Sequence, residues 1–226
     1  MKTSNLNILY EDSHILVCEK PHGIATQNQK IGQADMVSLI KNHLAKSQAA
    51  KGEPYLAVIH RLDQPVSGIL VFAKTPFAAK DLNLQLTSHG FGKHYRALVD
   101  GTPEKAENTL ENYLVKDKRT NLSRVCDKNT PDAKLARLYY KIIPAQTGLY
   151  KDIISEGQTE LDIQLDTGRH HQIRVQMSHM GCPIVGDTKY NTKSAAEKNW
   201  QKICLCAYKL NFRHPKTKKE MEFSIT

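Results

Sequence analysis

The chain of 226 residues has no long apolar run, and nothing in it approaches the roughly 20 consecutive apolar residues of a membrane-spanning helix. Its N-terminus, MKTSNLNILYEDSHILVCEKPHG, lacks an apolar stretch behind a basic one, so the pattern of a secretory leader is missing. Cysteine is sparse and odd in number. Cys18, Cys126, Cys182, Cys204 and Cys206 are scattered without the spacing of a disulfide framework, which suits a reducing, cytoplasmic compartment. No internal repeat occurs, and no low-complexity segment exceeds the Lys216 to Lys219 turn. Acid is in deficit: 23 Asp and Glu face 32 Lys and Arg, a formal charge of +9. Such an excess is expected of a protein that meets phosphate, although many basic proteins do not.

The length fits one globular domain over residues 1–226 with a substantial core. Ile8 to Glu19 reads as two short strands around a turn at Glu11 to Ser13, ended by Lys20-Pro21-His22-Gly23. Met36 to Ala50 carries apolar residues at helical spacing, and a polar linker follows from Lys46 to Pro54. A second helix is predicted from Pro76 to Ser88, with Phe77, Ala79, Leu82, Leu84 and Leu86 as apolar contacts and Gly90 as its stop. From Lys93 onward the chain alternates. HYRALVDG, ENTLENYLVK, SRVCD, KLARLYYKII, TELDIQLD and HQIRVQM read as successive strands, which argues for a largely antiparallel sheet. Short helices are predicted at Gln176 to Gly181 and around Ser194 to Gln201, and Ile203 to Phe212 with Glu220 to Ile225 read as a hairpin. Cys204-x-Cys206 lies in an alternating run, so a strand would put both thiols on one face for packing.

The most informative segment is Val58 to Lys74, VIHRLDQPVSGILVFAK, which sets Asp63 between two apolar runs. Val58 and Ile59 end one strand, Pro65 to Gly68 supply turn chemistry, and Ile69 to Ala73 form a buried second strand, so Asp63 sits near a strand end at the lip of a sheet. Taken alone, Arg61-Leu62-Asp63 fits equally a turn in which Asp63 caps its own backbone.

The full string resembles the signature of the RluA family of pseudouridine synthases, in which His-Arg-Leu-Asp is followed by Thr-Ser-Gly and an aliphatic strand ending in Ala-Lys. Here the match is His60-Arg61-Leu62-Asp63, Ser67-Gly68 and Ala73-Lys74, with Val66 where many members have Thr. Lys93-His94-Tyr95-Arg96-Ala97-Leu98-Val99-Asp100-Gly101 resembles the family's Lys-x-Tyr-x-Ala-x-Val-x-Gly strand. Asp166-Thr167-Gly168-Arg169-His170-His171-Gln172-Ile173-Arg174-Val175 resembles its Thr-Gly-Arg-x-His-Gln-Ile-Arg motif, continued by His179 to Asp187.

The resemblance implies an α+β fold, a bent and mostly antiparallel sheet with flanking helices and a central catalytic cleft. It implies an isomerase that converts specific uridines of ribosomal or transfer RNA to pseudouridine without cofactor or metal. Asp63 is then the catalytic carboxylate, Tyr95 stacks on the base, and Arg174 is the basic partner that keeps the acid ionised. His60, Arg61, Arg169 and His170 are implied as substrate contacts. Many relatives carry a small N-terminal RNA-binding domain, and this chain starts too close to its first strand for one, so recognition is expected to rest on the catalytic domain of a monomer.

His170, His171, His179 and Cys182 are also the residue types of a zinc site. Adjacent histidines on a strand point to opposite faces, and neither His-x-x-x-His nor Cys-x-x-Cys is present, so no metal is expected. Two rivals to the synthase reading are an RNA-binding protein of the same fold that has lost catalysis and a hydrolase built on Asp63 and the histidines. The basic residues Lys116-Asp117-Lys118-Arg119, Arg124, Lys128, Lys134, Arg137 and Lys216 to Lys219 form an electrostatic path for RNA only if they share a face, which a sequence cannot establish.

Overall fold

The computed structural model describes residues 6–28, 33–47, 52–88, 90–196 and 202–225. The chain divides into two compact units, one comprising the segment to Gly92 with Ala207–Ile225, the other Lys93–Cys206.

In the first unit β1 (Asn7–Glu11) and β2 (Ile15–Lys20) pair antiparallel as expected. The Asp12 carboxylate fixes their turn, accepting from His14 N at 2.7 Å and Ile15 N at 2.8 Å. β2 pairs with β4 (Ser67–Ala73), Val17 opposite Val71, and the short β3 (Ala57–Val58) also pairs with β4. β4 neighbours β10 (Leu205–Arg213), which forms the expected terminal hairpin with β11 (Glu220–Ser224). Gly68 has φ +130 and lies against the Ala207 backbone, where a Cβ would collide. Close approach of the two strands therefore requires glycine.

Alternation along β2 and β4 sends Ile15, Val17, Ile69, Val71 and Ala73 to one face, which packs with Leu210 and Phe212. Ala78, Ala79 and Leu82 of α2 (Pro76–Thr87) pack in the same cluster. α2 starts with Thr75 accepting from Ala78 N at 3.2 Å and with Pro76 in its first turn. Two of its predicted contacts are corrected: Phe77 and Leu84 are 56% and 67% exposed. The buried stripe instead includes Gln85, whose amide makes a reciprocal pair with Arg213 at 2.8 and 2.9 Å. α1 (Met36–Ser47) buries Met36, Ile40 and Leu44 at four-residue spacing, and the predicted continuation over residues 48–50 lies outside the described residues.

The second unit is an antiparallel sheet in the order β5 (Gly92–Asp100), β9 (Gln158–Leu165), β8 (Lys134–Ile143), β6 (Glu107–Asp117) and β7 (Leu122–Cys126). β8 shows why the alternation was legible, since Ala136, Leu138 and Tyr140 are buried while Leu135, Arg137 and Tyr139 face out. Strands with α-helices in this arrangement make the fold α+β.

One prediction is overturned here: HQIRVQM is not a strand, and α3 runs Gln172–His179. Ile173, Val175 and Met177 suggested a two-residue period, but Gln172, Arg174 and Gln176 are buried as well. Each has a polar partner inside the protein, although the Gln176 Oε1 is buried without one among the described residues. Gln172 accepts from Thr167 and Arg169, Arg174 pairs with Asp187, and Gln176 donates to Asn112. A helix buried all round shows no amphipathic stripe. α4 (Thr192–Ala196) begins earlier than predicted, and the residues 197–201 of that prediction lie outside the described residues. All five cysteines are free thiols, and Cys204 and Cys206 are buried.

Candidate active site

In the first unit, Asp63 follows His60-Arg61-Leu62 in the connection from β3 to β4 and is half-buried, while Arg61 is exposed. A turn closes behind it, with Val66 N donating to Asp63 O at 3.0 Å. Both chain neighbours of Asp63 are tied to the segment 20–26. Leu62 N donates to Thr26 Oγ1 at 3.1 Å, and the same hydroxyl donates to Leu62 O at 3.0 Å. Gln64 O accepts from Gly23 N and from Lys20 Nζ, both at 3.0 Å, and the Gln64 amide returns a bond to Gly23 O. The carboxylate is thus carried on a backbone held on either side.

In the sequence Lys20 stands only as part of the end of a strand. It is fully buried, on the β2 face shared with Leu16 and Cys18, and its ammonium donates to Pro21 O (3.1 Å), Ile24 O (2.6 Å) and Gln64 O (3.0 Å). Burial pushes its pKa down to about 8, against the pull of the Asp63 carboxylate. The signal was present in the sequence: alternation from Leu16 and Cys18 points Lys20 inward. His60 accepts from Val71 N at 3.4 Å and meets Phe91 edge-on. Val66 is buried, so its methyls fill a slot where a hydroxyl would need a partner.

In the second unit, Tyr95 is 7% exposed on β5, opposite Ile163. Lys93 shares its strand face, and burial lowers the Lys93 pKa, opposed by Asp166 and reinforced by Arg169. Arg174, on α3, is forked onto Asp187: Nε donates to Oδ2 at 2.8 Å and Nη2 to Oδ1 at 2.7 Å. The Tyr190 ring lies 5.2 Å from the guanidinium carbon. Asp187 stood in the continuation of the third motif, without a role assigned to it. A guanidinium has five N–H donors, and this fork uses two.

His170 and His171 precede α3 and do not diverge as strand neighbours would, because His171 takes φ 55 and the two rings stack with centroids 3.8 Å apart. His170 Nδ1 lies 2.9 Å from Ser123 Oγ, and His171 Nδ1 lies 2.8 Å from the Tyr190 hydroxyl. Gly168, Arg169 and His170 line a cavity of about 380 Å³ with β6 and β7 residues.

Residues 14–179 match the family described as RNA pseudouridylate synthase. The chain is 31% identical over 221 residues to the uncharacterized RNA pseudouridine synthase YlyB of Bacillus subtilis (strain 168), covering 97% of this chain and 68% of that protein. It is 31% identical over 227 residues to ribosomal large subunit pseudouridine synthase D of Zymomonas mobilis, covering 96% of this chain and 68% of that protein. The solved structure of human RNA Pseudouridylate Synthase Domain Containing 4 shares the fold with a TM-score of 0.76 at 20% identity, covering 97% of this chain and 88% of that one. The chain belongs to the RNA pseudouridine synthases, in the RluA family, whose members are isomerases acting on RNA. It spans about two thirds of the length of these two bacterial relatives.

Proposed function

We propose that the chain isomerises specific uridines of ribosomal or transfer RNA to pseudouridine, as one catalytic domain with Asp63 as its catalytic carboxylate. The observation that carries this is the double anchoring of the Asp63 backbone through Leu62 and Gln64, which holds a half-buried acid at the start of β4. The relative named for the ribosomal large subunit favours ribosomal RNA as the substrate.

In the reaction the bond from uracil N1 to the sugar's C1′ breaks, the ring turns, and C5 bonds to C1′. C5 loses a proton and N1 gains one, so the product is an isomer. Asp63 acts as an anion in either of two roles, attack on C1′ or removal of the C2′ proton. Tyr95 stacks on the base, and its hydroxyl assists proton loss from C5. Arg174, held by Asp187, is the proposed basic partner of the catalytic carboxylate. Arg61 fills the place left by the flipped base, and Arg169 and His170 contact the RNA. His60, whose ring is engaged by Val71 and Phe91, contacts substrate from within the same loop.

Mapping pseudouridine in total RNA from cells carrying the wild type or Asp63→Ala tests this. Sites lost only with Asp63→Ala give both the activity and the target. An unchanged map with folded protein removes the Asp63 mechanism and leaves a binding role.

A further inference from the structure

Sequence could not say whether the basic residues of the second unit share a face, and the structure brings four cations to one cavity. Lys116, Lys118, Lys134 and Arg169 line the 380 Å³ space against a single carboxylate, Asp132. Strand register explains the convergence. Leu114 pairs with Lys134 across β6 and β8, Lys116 pairs with Ser123 across β6 and β7, and Leu114 and Lys116 share one face of β6. Leu114 packs with Val175 of α3, which puts this face toward that helix, and Arg169 and His170 come from the segment leading into α3.

None of the four cations makes an ion pair among the described residues. Nearby acids are engaged elsewhere: Asp117 accepts from Arg119 N and Thr120 Oγ1, and Asp166 pairs with Arg137 at 3.1 Å. Arg169 donates Nε to Leu135 O at 2.8 Å, which anchors the side chain without using its Nη groups. Ser123 is 6% exposed and is positioned by the Tyr190 hydroxyl through its N–H and by His170 through its Oγ. Four unneutralised cations around a concave, partly apolar floor call for a polyanion with a sugar or base attached.

Resting on the RNA-modifying reading, we infer that this cavity binds the phosphodiester backbone of the RNA. It is a recognition site carried by the catalytic fold itself, with the lysines acting as point charges and Arg169 as the directional donor.

The test compares wild type, Lys116→Gln/Lys118→Gln/Lys134→Gln and a control of equal charge loss, Lys80→Gln/Lys105→Gln/Lys151→Gln. The readout is the affinity for a fluorescent 20-nucleotide oligouridylate across a salt series, with unfolding midpoints confirming intact folding. The cavity variant is expected to bind on the order of tenfold or more weakly near 0.1 M salt, and the slope of log affinity against log salt is expected to shrink by about 0.7 per lysine. The control should lie near the wild type. Equal losses in both variants, or none in the cavity variant, overturn the site. Pseudouridine mapping keeps the two readings apart: wild-type RNA modification with no cavity effect sinks only the site, and a cavity effect without any pseudouridine sinks only the synthase reading.

Discussion

The Lys20 ammonium lies 3.0 Å from the carbonyl oxygen of Gln64, the residue that follows Asp63. A fully buried cation thus holds the loop of the proposed catalytic acid from beneath and contributes to its electrostatic environment.

Lys20→Met should destabilise the protein by about 2–4 kcal/mol, because three carbonyls lose one shared donor in a place water does not reach. Urea unfolding measures the loss, and a change below about 0.5 kcal/mol would contradict it.

The same group makes opposite predictions for activity and stability as pH rises. Its folded pKa of about 8 lies below the ordinary 10.5, so between these values the unfolded chain binds more protons. The Lys20 contribution to stability therefore grows from pH 8 to 10.5, while single-turnover pseudouridine formation falls as the ammonium is lost. An activity profile with the same alkaline limb in Lys20→Met would assign that limb to another group.

Thr26→Val keeps the shape but removes a hydroxyl that both accepts from and donates to Leu62. A loss of about 1–3 kcal/mol is expected, with a several-fold lower rate from a less restrained Asp63 loop. Thermal unfolding and single-turnover rates check the two parts.

Breaking the buried Arg174–Asp187 fork by Asp187→Ala should cost about 3–5 kcal/mol, since it removes the bidentate carboxylate from a guanidinium that is 4% exposed. Adding Arg174→Met should restore much of that stability without restoring activity. Recovery of both would deny Arg174 a part in the reaction.

Gly68→Ala would push a methyl into the Ala207 backbone at φ +130 and should cost about 3 kcal/mol or more. Expression with an unchanged unfolding midpoint would show that β4 and β10 can separate to admit it.

The sequence carries in plain view the elements whose burial has a simple period: β2 and β4 as apolar runs, β8 as an alternating strand, α1 by its four-residue spacing. It also placed Asp63 before a turn that opens a buried strand, because turn chemistry and β propensity are local properties. Tertiary structure alone decided the rest. HQIRVQM became a helix because distant partners take up donors of its buried polar residues, Asn112 for the Gln176 amide and Asp187 for Arg174. Lys20 came under Gln64, and Lys134 beside Lys116, through strand pairings that join residues far apart in the chain. Periodicity reports which way a side chain points, whereas its partner is fixed only when the chain closes and desolvation makes an unmet polar group costly.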